Sequence, residues 1–73
     1  MAKSIFSKHH KELIQKLKKA RKDVKLEQTE VAKLLGKTQS YISKVEAGQR
    51  RIDIVQLKEF ARIYKKDLEF FVK

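Results

Sequence analysis

The sequence contains no cysteine, no proline and no tryptophan, and only two glycines. Without thiols there is no disulfide, no thiolate zinc site and no cysteine nucleophile. With so few chain breakers, helices must follow one another closely through tight turns. No apolar run approaches the roughly 18 residues that a membrane span needs. The opening MAKSIFSKHHK carries no long apolar stretch, so no secretory signal is expected. No repeat, low-complexity tract or linker is visible, and no segment sustains the period-two alternation of a half-buried strand. Acidic residues are scarce: nine against 19 Lys and Arg, for a net charge of +10. That imbalance favours a polyanionic partner, either nucleic acid or an anionic membrane surface. Val, Ile, Leu and Phe are nevertheless frequent enough for a real core, which excludes a disordered basic tail. At 73 residues, the expectation is one all-α domain spanning 1–73, cytoplasmic, without cofactor or metal.

The most informative stretch is QTEVAKLLGKTQSYISKVEA, residues 28–47. Val31, Ala32 and Leu35 form one apolar stripe at helical spacing, and Ile42 and Val45 form a second. Gly36 stands between them, where a helix end calls for positive φ. Thr38 is placed to cap the second helix by accepting from orphan N–H groups. Ala32 is small where the two helices must come close. This is the layout of a helix-turn-helix, whose second helix enters the DNA major groove.

Three further helices are expected around it. The first begins after Ser4 or Ser7 and runs to about Lys22, with Leu13, Leu17 and Ala20 as its stripe and Phe6, His10 and Ile14 on the flank. The pair inside the motif spans Gln28 to Leu35 and Gln39 to Ala47, the latter stopped by Gly48. Asp53 and Gln56 make a capping box for a fourth helix that buries Leu57, Phe60, Ala61 and Tyr64. Ile52 and Leu57 are spaced as a hydrophobic staple across that cap. Asp67 opens a short last helix. The fold class is a compact five-helix domain, with residues 1–12 as a basic N-terminal extension.

With Ile42 and Val45 inward, a rotation of about 100° per residue turns Ser40, Ser43, Lys44 and Ala47 outward. Gln39 sits at the tip that enters the groove first. In a chain this rich in lysine, an ordinary solvated face would carry longer charged groups. Small polar groups instead admit a close approach of the backbone to base edges. Gln39, Ser40, Ser43 and Lys44 are therefore the expected base contacts, since Gln suits adenine, Lys suits guanine and Ser serves either. Taken singly, each of these residues is more often just an exposed polar side chain; the constellation carries the reading. Glu46 stands about 40° from Ile42 on the helix wheel, close to the buried stripe, and so needs a cation.

QTEVAKLLGKTQSYISKVEAGQRRI resembles the Cro/phage-repressor (XRE-like) helix-turn-helix family. The likeness extends through IDIVQLKEFARIY and back to LKKAR, so that it covers most of residues 13–72. It rests on a Gln opening each motif helix, on the Ala–Gly–Ile–Val spacing, and on E-x-G closing the second helix. The resemblance implies five helices, a homodimer on palindromic operator DNA, and control of transcription. It implies base contacts from Gln39, Ser40 and Lys44. It places Gln28 against phosphate through its side chain and the helix N-terminus, and Tyr41 beside the groove wall. Arg50 and Arg51 fall in a loop that often touches phosphate, and Lys37 and Thr38 in the turn join that set. Arg21 and Glu46 match a pair that many members bury together. Two positions depart from the family pattern: Lys25 and Lys65 stand where members usually have Gly, or Gly or Asn. Either these lysines adopt positive φ at an energetic cost, or the turns have another shape.

The remaining features are weaker. His9 and His10 diverge by about 100° on a helix and cannot share one metal ion. Residues 1–25 carry nine Lys or Arg against two acids, which suits attraction to phosphate or an amphipathic helix on a membrane. The folded motif downstream makes the membrane the poorer reading. Leu68, Phe70, Phe71 and Val72 are candidate dimer contacts or a cap on the core. No nucleophile–base pair, metal set or phosphate loop stands out, so no enzyme is expected. No small-molecule effector is expected either. The alternative function is an antitoxin-type or restriction–modification controller protein that also binds a protein partner.

Overall fold

The computed structural model describes residues 8–72. Among these residues there are five helices and no strand: α1 (Lys8–Asp23), α2 (Gln28–Leu35), α3 (Gln39–Glu46), α4 (Ile54–Tyr64) and α5 (Leu68–Val72). One core joins them, built from Ile14, Leu17 and Ala20 of α1, Val31 and Ala32 of α2, Ile42 and Val45 of α3, Leu57, Phe60, Ala61 and Tyr64 of α4, and Phe71 of α5. Helices α2 and α3 pack on each other, with α1 and α4 behind them and α5 closing against α1 and α4. Among the described residues, no helix is long and apolar enough to cross a membrane.

The helix starts are set by local chemistry. Thr38 Oγ1 accepts from the backbone N–H of Tyr41 at 3.1 Å, which satisfies one orphan donor of α3. Asp53 Oδ1 accepts from Gln56 N at 2.8 Å while Asp53 N donates to Gln56 Oε1 at 2.9 Å. That reciprocal pair is the capping box expected from the sequence. At α2 the first helical residue is Gln28, and the N-cap is Glu27. Its N–H donates to Glu30 Oε1 at 2.7 Å. The spacing E-x-x-E was the available signal, although Glu is not a usual N-cap. The proposed caps at Ser4 and Ser7, and Phe6, lie outside the described residues.

The helix ends share one geometry. At α1, α2, α3 and α4 a residue with φ between 58° and 78° follows the helix: Lys25, Gly36, Gly48 and Lys65. Each end closes with a pair of backbone bonds, as at α3, where Gly48 N reaches Val45 O at 3.1 Å and Gln49 N reaches Lys44 O at 3.0 Å. This is the Schellman arrangement, which satisfies the orphan carbonyls and requires a left-handed residue. Of the two possibilities left by the sequence, Lys25 and Lys65 thus take the strained one. A Cβ placed on Gly36 or Gly48 would meet nothing within 4 Å, so these glycines answer to backbone conformation and not to packing.

One assignment changes, at Leu13 and Ile14, and one left open is decided, at Phe71. Ile14 is 6% exposed and belongs to the core, whereas Leu13 is only half-buried. Arg21 explains the rotation: it must face α3 to reach Glu46, and Ile14, Leu17 and Arg21 lie on one line of the helix. Phe71 is 3% exposed and sits in the core, which leaves Val72 as the exposed apolar residue of the C-terminal group. Leu68 and Phe70 are half-buried against the core.

Candidate nucleic-acid interface

Ile42 and Val45 lock α3 to the core with no measurable exposure. The outward face then presents Gln39, Ser40, Ser43 and Lys44, all exposed. Two of its four side chains are serines, so little stands between this face and its backbone. A bulkier pair would hold any duplex away from the backbone.

Beneath this face runs a relay of hydrogen bonds. Glu46 is 7% exposed, and Arg21 grips it with a two-pronged contact, Nε to Oε2 at 2.7 Å and Nη2 to Oε1 at 3.0 Å. Arg21 also donates from Nη1 to the Leu26 carbonyl at 3.0 Å, which ties the α1–α2 turn to the pair. The hydrogen bond to Glu46 holds the guanidinium pKa above its ordinary value; burial opposes it, and the charge of Glu46 adds a lesser rise. Gln28 Nε2 donates to the same Glu46 Oε1 at 3.0 Å, and Gln28 Oε1 accepts from Gln39 Nε2 at 2.6 Å. A buried charge pair therefore fixes Gln28, and Gln28 fixes Gln39 at the tip of α3. One amide hydrogen of Gln28 stays available for a phosphate, and one hydrogen and the carbonyl of Gln39 stay available for a base edge. An Arg–Glu pair at this burial is costly unless well bonded, and here both carboxylate oxygens are satisfied.

A second cluster flanks the N-terminus of α3. Tyr41 is half-buried, with Lys37 Nζ 5.4 Å and the Arg50 guanidinium carbon 4.9 Å from the ring centroid. Burial raises the phenol pKa above its ordinary value, partly offset by Arg50. Gly36, Lys37, Thr38, Ser40, Tyr41, Lys44 and Arg50 line one open depression. Two cations thus gather against one ring near the N-terminal end of α3, where backbone N–H groups and helix polarity favour an anion. Sequence reasoning named each of these residues but not their contact, because Lys37 and Arg50 lie on different loops. Arg51 is exposed in the α3–α4 loop.

Tyr64 lies behind the relay, 1% exposed, with no hydrogen-bond partner for its hydroxyl. Burial pushes its pKa well above the ordinary value of 10.0, reinforced by the Glu46 carboxylate. Among the described residues, no group of His, Cys, Asp and Glu is arranged to hold a metal ion.

A short helix, a glycine turn, and a second helix with a buried apolar side and a free polar side define a helix-turn-helix domain. The chain belongs to the Cro/phage-repressor-like (XRE) helix-turn-helix family: the family described as Helix-turn-helix matches residues 17–71. It is thereby a DNA-binding regulator of that family. Comparison with curated proteins and with solved structures returned no match.

Proposed function

We propose that this protein is a sequence-specific transcription regulator that binds a palindromic double-stranded operator as a homodimer, with α3 in the major groove. The observation that carries this reading is the relay from Arg21 through Glu46 and Gln28 to Gln39. A merely solvated glutamine needs no such support; a base-reading one gains from being held before the duplex arrives. In this reading Gln39, Ser40, Ser43 and Lys44 contact bases. Gln28, Lys37, Thr38, Tyr41, Arg50 and Arg51 contact phosphate and set the register. One recognition helix reads too few base pairs to stand out in a genome, which favours a dimer with half-sites about 34–36 Å apart. The dimer surface would include Val72 and the exposed edges of Leu68 and Phe70.

Selection of duplexes from a random pool, followed by footprinting, tests the reading. The expected product is a symmetric site protected over both halves. Protection of one half-site at saturation sinks the dimer. Recovery of no consensus sinks sequence reading by α3. Co-purification of a stoichiometric second protein from the native host would favour the antitoxin-type alternative.

A further inference from the structure

The family match begins at residue 17, but α1 begins nine residues earlier, at Lys8. The extra helical turns are not idle, because Ile14 reaches the core. Their outer side carries Lys8, Lys11, Gln15, Lys18 and Lys22, spaced by three and four residues, and all are exposed. That spacing aligns them in one stripe, about 21 Å long at 1.5 Å per residue. Of the two acids of α1, Asp23 lies off this stripe and Glu12 borders it, four residues after Lys8. Asp23 is engaged by Lys19 at 3.6 Å and by Lys66 at 3.3 Å, and Glu12 borders the α5 side with His9 and Phe71. The salt bridges of Lys19, Arg21 and Lys66 involve none of the stripe lysines.

The stripe also has a definite neighbour. Lys11, Gln15 and Lys18 form one wall of a groove whose other wall is Glu46, Ala47 and Gly48. Ala47, the exposed C-cap of α3, follows on the side of Ser43 and Lys44, so the groove continues the reading face. Glu46 does not repel an anion there, since Arg21 and Gln28 occupy its oxygens.

We infer that the Lys8–Lys11–Lys18–Lys22 stripe of α1 is a second DNA surface, which tracks the phosphate backbone of duplex flanking the bases read by α3. The inference rests on the DNA-binding reading above and extends it beyond the helix-turn-helix. The charge matches a polyanion, the stripe spans about six base pairs of helical rise, and it is continuous with the face that meets the bases.

The test uses the full chain with Lys11→Gln and Lys18→Gln together, both on the surface and outside the relay. Binding to the selected operator is followed against salt, with flanks present and with flanks trimmed. Each lost phosphate contact lowers the slope of log K against log salt by about 0.9. The pair should therefore lower it by nearly 2 per monomer on the flanked duplex, with the preferred bases unchanged and little effect on the trimmed one. A control with Lys58→Gln and Lys65→Gln removes the same charge from elsewhere and should lower the slope by less than half as much. A wild-type slope in the α1 variant overturns the inference while leaving the base-reading role of α3 intact. An equal drop in the control overturns it too, since the effect is then only net charge. If the wild-type protein selects no duplex at all, this inference falls together with the reading on which it rests.

Discussion

Removing the Glu46 carboxylate alone should strongly destabilise this domain, whereas removing both members of its ion pair should not. The Arg21 side chain is 13% exposed and that of Glu46 7%, and Nε meets Oε2 at 2.7 Å. Glu46→Ala leaves a guanidinium in a site with little water to replace its partner. Breaking a buried pair on one side costs about 3–5 kcal/mol. At roughly 0.05–0.15 kcal/mol per residue, a domain of this size has on the order of 4–11 kcal/mol in total. Each kcal/mol moves the midpoint of such a domain by about 4–8 °C, so the melting temperature should fall by more than about 10 °C. The combined replacement Arg21→Met and Glu46→Leu removes the desolvation penalty together with the attraction, and should melt within a few degrees of wild type.

The assay is thermal and urea unfolding followed by far-UV circular dichroism, with a constant m-value as the check that compactness is unchanged. The same variants separate structure from reading. In the apolar double variant Gln28 loses its acceptor on α3, so Gln39 is no longer held. The protein should fold, bind DNA, and discriminate less well at the base pair that Gln39 meets. A Glu46→Ala protein that melts like wild type refutes the reasoning. So does a stable apolar double variant with full discrimination at that base pair, because the relay would then be without consequence.

Lys25→Gly and Lys65→Gly should each stabilise by about 0.5–1 kcal/mol, since a left-handed residue with a Cβ is strained by roughly 1–2 kcal/mol and glycine loses part of that gain in the unfolded chain. The corresponding alanine variants remove the same charge but keep the Cβ, so an equal gain from alanine would show that charge and not backbone strain is responsible. Tyr64→Phe should raise stability by about 1 kcal/mol, because it removes a buried hydroxyl with no partner; a clear loss in urea unfolding would reveal an unseen partner. The raised Tyr64 pKa stabilises the fold fully below the ordinary value of 10.0 and progressively less as pH climbs beyond it, because the unfolded chain then releases a proton that the native state retains. The stability difference between wild type and Tyr64→Phe should accordingly shift against wild type above that pH. Thr38→Ala should cost about 1 kcal/mol through loss of the α3 cap, and it should weaken binding to all duplexes without changing the preferred bases.

The helices were legible because period, caps and breakers agree along the chain. Thr38, Asp53 with Gln56, and Gly36 each mark an end by a local rule that needs no tertiary knowledge. The rotation of α1 was not legible. Leu13 and Ile14 are equally apolar neighbours, and only the demand that Arg21 reach Glu46 decides which one turns inward. The same limit hid Phe71, which lies next to Phe70 and Val72 in an apolar run with no polar residue to set its phase. The relay was half visible. The wheel put Glu46 near the buried stripe, but the bond from Gln39 to Gln28 depends on the angle between two helices that sequence gives only separately. At Lys25 and Lys65 the sequence left two turn shapes open, since residue preference argued against the conformation that the helix ends require.

That last conflict points to where the chain tolerates strain. Four helices end in a left-handed residue, and only two glycines are present to supply it. Both glycines bound α3, Gly36 at the turn that leads into it and Gly48 at its close. Strain at either place would be relieved by shifting the helix that carries Gln39, Ser40, Ser43 and Lys44, and a small shift there displaces every side chain on the outward face. At Lys25 and Lys65 the strain falls on turns that carry no proposed base contact, and each lysine adds a positive charge to a protein whose proposed partner is a polyanion. The distribution of glycine thus follows the demands of positioning more closely than those of stability. Replacing the lysines should firm the fold, and replacing the glycines should loosen the hold on the reading helix even though nothing lies within 4 Å of a Cβ at either position.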